Sequence, residues 1–314
     1  MEKTIERESI AGKEQHGRRL DAALAALFPF LGLRGRRRLW KGHLVLVDGI
    51  ARSPAFRLRG GETVRLVSLY PLDAANDALC PDDPPRLLAH WGPMFFFYKP
   101  GGLHTESLAG GLRPSLADLL GRIMPDASAI RLLARLDLET SGIVPAAGDE
   151  YAARHWRQRE NAGGMDKSYL ALLEGGLDSE QSVRNALDSA KTRRTRVLDA
   201  DGPGLRHTRI RPLAHFQAGD APGLMPGCPG DARLTLALCC IAKGARHQIR
   251  AHAAHIGHPL AGDALYGARG GASFFLHHYR IQWPEGQVSC LPAWQALLPV
   301  PVRERISRLR NRVE

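Results

Sequence analysis

The chain has 314 residues, a hydrophobic fraction of 44% and a net charge of +11. That length allows two domains, and the apolar content excludes a wholly disordered chain. No apolar run approaches the roughly 18–20 residues of a membrane-spanning helix, the first residues have no signal-peptide core, and five cysteines without a CxxC spacing argue against a disulfide framework or a cysteine zinc site.

In chain order, residues 1–16 read as an N-terminal tail. Residues 17–67 carry eleven Lys or Arg against three acids, a net of +8. Within this stretch Leu20, Ala23, Leu24 and Leu27 recur at helical spacing, and Pro29 ends that helix. A second short helix is predicted from about Leu33 to Lys41, with Gly42 as its stop. The run HLVLV predicts a strand and Asp48-Gly49 a tight turn. A further strand, ETVRLV, follows Gly60-Gly61. Residues 17–70 thus form a small helix-helix-hairpin module. Residues 71–86 hold four prolines and four aspartates and read as a stiffened linker.

The remainder, 87–300, mixes strands (MFFFYK, SYLALLE, RIRPLAHF, RLTLALCCIA) with helical patterns (SLADLLGRI, EYAARHWRQRE, RHQIRAHAAHIG). Strands in this order without regular βαβ alternation predict an α+β domain with a mostly antiparallel central sheet and flanking helices. Residues 216–232 read as a Gly/Pro-rich loop. Residues 301–314 read as a basic C-terminal tail of helical pattern.

Four segments could carry chemistry. In RLLARLDLETSGIV, Asp137 follows Arg135 by two residues and precedes a Thr140-Ser141-Gly142 turn, with apolar residues on both sides. A carboxylate there costs free energy unless a cation compensates it, so its role is either structural or catalytic. In YKPGGLHT, a strand ends at Lys99 and paired glycines let the chain turn. In DKSYLALLEG, Lys167 and Tyr169 share one face of a strand. The segment GARHQIRAHAAHIGHPLAGDALYG concentrates Arg246, His247, Arg250, His252, His255 and His258. His252 and His255 at i, i+3 raise a metal reading. Against it, no carboxylate stands at a helical metal-ligand spacing, and two arginines would repel a cation. A cationic helix facing phosphate fits the charge better, and ordinary half-buried histidines are the plain alternative. The basic balance makes a polyanion, nucleic acid above all, the expected partner.

Taken together, these segments resemble the RluA-type family of pseudouridine synthases. Arg135-Leu136-Asp137 with Thr140-Ser141-Gly142 is similar to its HRLDxxTSG motif, and YKPGGL to its NKPAGL strand end. Lys167-Ser168-Tyr169 resembles its K-x-Y strand. His247-Gln248-Ile249-Arg250 with GHPLAGDALYG resembles HQIR…GHPIxGDxxYG, and LHHYRIQW resembles its late LHAYRL strand. The resemblance spans about residues 90–285. The 17–70 module is similar to an S-four-like RNA-binding domain.

The resemblance implies a cofactor-free, metal-free isomerisation of uridine to pseudouridine in structured RNA, with large-subunit ribosomal RNA favoured over transfer RNA. It makes Asp137 the catalytic aspartate and Arg135 the arginine that helps displace the target base. It makes Tyr169 the aromatic lying against that base, and Arg250 the cation paired with the aspartate. A carboxylate can attack the anomeric carbon or take the neighbouring sugar proton, and both routes stay open. Arg34, Arg36, Arg37, Arg38 and Lys41 are the expected RNA contacts of the N-terminal module. Lys99, Lys167, Arg246 and His247 are those of the larger domain. A cytoplasmic monomer without an obligate protein partner is expected.

Three residues depart from the family pattern. Ala134 stands where the family has His, Ala245 replaces a basic residue, and Pro145 interrupts an aliphatic strand. The two alanines motivate a second reading, a catalytically weak RNA-binding or ribosome-assembly factor on the same scaffold.

Overall fold

The structure, a computed structural model, describes residues 5–27, 43–68, 83–107, 114–124, 129–190, 193–226, 228–267 and 273–311. The chain divides into two compact units, Met1–Pro84 with Leu103–Leu119, and Pro85–Gly102 with Leu120–Glu314. The division after Pro84 falls within the proline-rich 71–86 segment, most of which lies outside the described residues. Residues 103–119, assigned to the larger domain from sequence, group with the first unit instead.

In the first unit, β1 (Ile5–Ile10), β2 (His43–Val47), β3 (Ile50–Ala51) and β4 (Thr63–Ser68) form an antiparallel sheet of order β1-β4-β2-β3. Asp48 and Gly49 both take positive φ, 48° and 80°. This is the geometry that a two-residue hairpin turn demands. Helix α1 (Leu20–Leu27) buries Leu20, Ala23 and Leu24 against Val45, Val47, Leu58, Val64 and Leu66. The expected N-terminal tail is a correction. Residues 5–10 are an edge strand on β4, and Ala11 and Gln15 are buried. Pairing with β4 satisfies backbone groups that a free tail would leave to water. The second helix predicted over 33–41, with Arg34, Arg36, Arg37, Arg38 and Lys41, lies outside the described residues.

Helix α2 (Leu116–Ile123) spans the boundary between the units in the chain. The second unit contains β5 (Arg86–Trp91), β6 (Met94–Lys99), β7 (Arg131–Leu132), β8 (Ser141–Ala147), α3 (Glu150–Asn161), β9 (Asp166–Glu174), β10 (Gln181–Val183), β11 (Asn185–Asp188), β12 (Arg196–Asp201), β13 (Thr208–Gln217), β14 (Arg233–Ile241), α4 (Gln248–His255), β15 (Leu276–Trp283), β16 (Gly286–Ser289) and α5 (Val300–Asn311). Its main sheet runs β10-β13-β14-β9-β15-β8-β6-β5, with β16 on β15 and β7 on β8. Among the described residues, all its pairs are antiparallel except β8 with β15. This is the predicted α+β class with a mostly antiparallel sheet.

The period-2 alternation of β9 sorts its residues between two cores. Tyr169, Ala171 and Leu173 face the side covered by Ile249 and Ala253 of α4. Leu170 and Leu172 face the other side, which includes Val302, Ile306 and Leu309 of α5. The C-terminal segment is therefore not a solvated tail. Its buried apolar residues Val302, Ile306 and Leu309, at i, i+4 and i+7, form one stripe that covers the sheet, while Arg303, Arg305 and Arg308 stay exposed. The 216–232 loop likewise sends Leu224 and Met225 into this core. Strand β8 runs on through Pro145 with all seven residues buried. The Pro145 carbonyl still accepts a bond from the Leu133 N–H at 2.8 Å, so only the donor side of that residue is lost.

Candidate active site

Asp137 stands on the loop between β7 and β8. The Thr140 N–H returns to the Asp137 carbonyl at 3.1 Å, which makes a tight turn just before β8 begins. Two neighbouring elements fix this loop. From the end of β6, Lys99 Nζ donates to the Leu138 carbonyl at 3.1 Å, and the Gly102 N–H donates to the same oxygen at 2.9 Å. Gly101 lies so close to the Glu139 carbonyl that a Cβ would stand 3.0 Å from it. The KPGG motif is thus a clamp on the Asp137 loop. On the other side, the Ser141 hydroxyl meets His277 Nδ1 at 2.8 Å. Gly142, at φ 117°, packs against the His278 backbone, where a Cβ would collide with the His278 carbonyl. Only glycine fits that seam between β8 and β15.

Arg250, on α4, binds two carboxylates. Its Nε and one terminal nitrogen fork onto Asp263 at 2.7 and 2.8 Å, and its other terminal nitrogen reaches Asp137 at 3.2 Å. Asp263 is 1% exposed. Burial opposes the guanidinium charge, but the two carboxylates outweigh it and raise its pKa. The rings of Tyr266 and Phe274 flank the guanidinium at 5.3 and 5.1 Å. Asp263 therefore aims Arg250, and Arg250 in turn holds Asp137, an arrangement that suits the planar fork of arginine rather than lysine.

His247 opens α4 with a left-handed backbone, φ 55°, an uncommon state for a residue other than glycine. Its Nε2 stands 3.8 Å from Asp137 and its Nδ1 3.1 Å from the Tyr266 hydroxyl. Burial, then the charges of Arg250 and Arg246, lower its pKa against the opposing pull of Asp137. His247 thus joins the Asp137 cluster. Arg246 beside it is exposed, and its carbonyl accepts a bond from the Thr195 hydroxyl at 2.9 Å.

Tyr169 occupies the centre of the sheet, opposite Cys239 of β14 and His278 of β15. Burial, reinforced by the charges of Asp137 and Glu160, pushes its hydroxyl well above the ordinary value, so the phenol stays protonated. Arg135 is exposed at the start of the same loop as Asp137.

Two expected RNA contacts are corrected. Lys99 is fully buried and donates to the Pro100 and Leu138 carbonyls. Lys167 is 3% exposed and pairs with Glu160 of α3. Side chains so enclosed serve the fold, because reaching a phosphate would break these bonds. Burial lowers the Lys99 pKa from 10.5 to about 7. Between those values the unfolded chain binds the extra proton, so this group makes stability rise with pH across that window and adds no slope below it. The stability advantage of the wild type over Lys99→Met is expected to grow between pH 7 and 10 by at most about 1.4 kcal/mol per pH unit. Urea unfolding of both proteins across that range measures it, and a constant difference would refute it.

Sequence reasoning assigned no role to Asp263, Tyr266, Gln248 or His278. Asp263 and Tyr266 were visible in the GDALYG spacing, but nothing in a linear pattern says that this aspartate faces Arg250. Gln248 donates to the Arg206 carbonyl and the Thr208 hydroxyl at 2.8 and 3.0 Å, anchoring the start of α4. His252 donates from Nε2 to the Asn185 carbonyl and accepts at Nδ1 from the Thr208 hydroxyl. With both nitrogens so occupied it is not available as a metal ligand. Among the described residues no group of three or more His, Cys, Asp or Glu is arranged to hold a metal. No described helix is long and apolar enough to cross a membrane.

Known proteins resemble this chain over much of its length. Residues 93–255 match the RNA pseudouridylate synthase family. A relative named ribosomal large subunit pseudouridine synthase D, from Xylella fastidiosa, is 32% identical over 80% of this chain and 72% of its own length. The Escherichia coli K12 protein of the same name is 28% identical over 86% of this chain and 78% of its own. The solved structure of human RNA pseudouridylate synthase domain containing 1 shares the fold, with a TM-score of 0.55 and 20% identity over 73% of this chain and 96% of that one. The chain belongs to the RNA pseudouridylate synthase family. Within it the chain is of the RluA type, an isomerase that converts uridine to pseudouridine.

Proposed function

We propose that this synthase modifies a uridine in structured RNA, large-subunit ribosomal RNA in preference to transfer RNA, with Asp137 as its catalytic carboxylate. The observation that carries the catalytic part is the chain of contacts from Asp263 through Arg250 to Asp137. A carboxylate held by a half-buried arginine, itself aimed by a second carboxylate, is preorganised for use at a reacting centre. The names of the relatives from Xylella fastidiosa and Escherichia coli support the choice of RNA.

The reaction breaks the bond from uracil N1 to the sugar C1′ and makes one from C5 to C1′. The C5 proton is lost and N1 gains one, so no electrons or atoms enter. Asp137 either adds to C1′ or takes the C2′ proton, and both routes need its carboxylate. The detached uracil has to stay bound and rotate, and the face of Tyr169 offers it a flat apolar surface. Before that, the nucleotide has to leave the helical stack. Arg135, exposed beside Asp137, fills the vacated space and offsets part of the unstacking cost. Arg246 and the basic N-terminal segment with Arg34, Arg36, Arg37, Arg38 and Lys41 supply phosphate contacts. No cofactor takes part, and the enzyme acts as a monomer.

Mapping pseudouridines across total RNA, with and without the protein, tests the substrate. The expected result is the loss of one or a few sites in large-subunit ribosomal RNA. Sites lost only from transfer RNA would overturn the preference.

A further inference from the structure

We propose that His278 is a positioning residue for the pseudouridine reaction: its ring backs Tyr169 and sets the plane on which the target base lies. The proposal rests on the reading of Tyr169 as the base platform and adds a residue to it. The family strand LHAYRL has alanine where LHHYRIQW has His278, so the resemblance does not itself supply the backing ring.

The Tyr169 and His278 rings are nearly parallel, with centroids 4.3 Å apart and an interplanar angle of 7°. One face of Tyr169 is therefore taken, and a base can stack only on the other. His278 is itself held firmly. Its backbone pairs with Gly142 in the parallel β8–β15 contact, at the seam where no Cβ fits. Its Nδ1–H donates to the Ile143 carbonyl at 2.6 Å. The ring bridges the β8 backbone, which continues directly from the Asp137 loop, to the face of Tyr169. A shift in one is thereby carried to the other.

His278 is also a costly way to fill that space. It is 1% exposed, and its Nε2 is buried without a hydrogen-bond partner. A buried unpaired acceptor is destabilising, so a plain apolar side chain would stabilise the fold better. Burial, then the Lys167 charge and His277, against the bond to Ile143, drive its pKa far below the ordinary value. The ring is neutral at working pH and stacks as an uncharged aromatic. Small errors in placing a reacting group cost large factors in rate, which gives the stack a kinetic purpose.

Three substitutions separate the ring from its hydrogen bond. His278→Asn keeps a donor for the Ile143 carbonyl but has no ring. His278→Phe keeps a ring but has no donor. His278→Ala has neither. With cognate RNA, His278→Ala and His278→Asn are expected to lose about tenfold in kcat, the scale of one aromatic pair. KM should stay within about threefold, because phosphate contacts elsewhere dominate RNA affinity. His278→Phe should restore most of kcat. Thermal unfolding of each variant confirms that rates are compared on folded protein, and should His278→Ala not fold, the Asn and Phe variants decide. An active Asn variant with an inactive Phe variant would assign the role to the hydrogen bond and overturn the proposal. Equal rates in all three, or equal losses, would also overturn it. Tyr169→Leu, measured alongside, separates the two readings. If it keeps full activity, the base platform itself is wrong. If it is inactive while His278→Ala matches wild type, only the present inference falls.

Discussion

Replacing Asp137 by alanine or asparagine is expected to abolish pseudouridine formation, with a rate loss of roughly 10⁴-fold or more, the scale for removing an essential nucleophile or base. Asparagine is the stricter test because it keeps the shape and removes only the charge. Neither it nor alanine can attack C1′ or accept the C2′ proton. RNA binding should survive and can tighten, since one negative charge leaves a site that meets a polyanion. The fold should tolerate the change. The Asp137 side chain is 23% exposed and its ion pair is one of three bonds made by Arg250. Arg250 keeps its two bonds to Asp263, so the stability loss should be about 1 kcal/mol or less. Single-turnover assays with pseudouridine detection, beside binding and unfolding measurements, test all three statements. An Asp137→Asn variant that retains wild-type turnover would remove the catalytic assignment.

Substituting Arg250 should cost the fold as well as the activity. Its loss leaves Asp263, almost fully buried, without its cation, and breaking a buried pair by removing one partner costs about 3–5 kcal/mol. It also frees Asp137, so Arg250→Ala is expected to lower turnover by at least about 10²-fold. Arg250→Lys should recover part of the stability, since the charge returns, but little of the rate. A single ammonium cannot fork onto Asp263 and still hold Asp137 in place. Asp263→Asn offers a complementary test. Arg250 keeps its charge but loses half its aim, so turnover should fall while RNA affinity holds. Urea unfolding and turnover of the three variants check this, and a stable, fully active Arg250→Ala would contradict the whole arrangement.

How much of this was readable in advance differs from one element to the next. The Asp48-Gly49 turn was legible because its geometry is local and few residues tolerate positive φ. In the larger unit β6, β9, β13 and β14 were legible from their apolar runs, whereas Ser141 and Gly142, read as part of a turn, begin β8. The C-terminal segment was legible as a helix but taken for a tail, because its many arginines drew attention away from Val302, Ile306 and Leu309, which only a facing sheet turns into a core contact. Residues 5–10 looked like a tail because an edge strand depends on a partner more than fifty residues away. Lys99 and Lys167 looked like phosphate contacts because a lysine's charge is evident in a sequence and its burial is not.

The candidate site divides along the same line. The family resemblance brought forward Asp137, Arg135, Tyr169 and Arg250, through the motifs in which they stand. The sequence also carried the family, the α+β class and the basic character that points to RNA. It was the tertiary structure that decided which charges meet. Arg250 lies 113 residues from Asp137, and His278 lies 135 residues from Ile143. Whether such groups pair depends on the loss of water around both, a property of the packed interior that no spacing along the chain records.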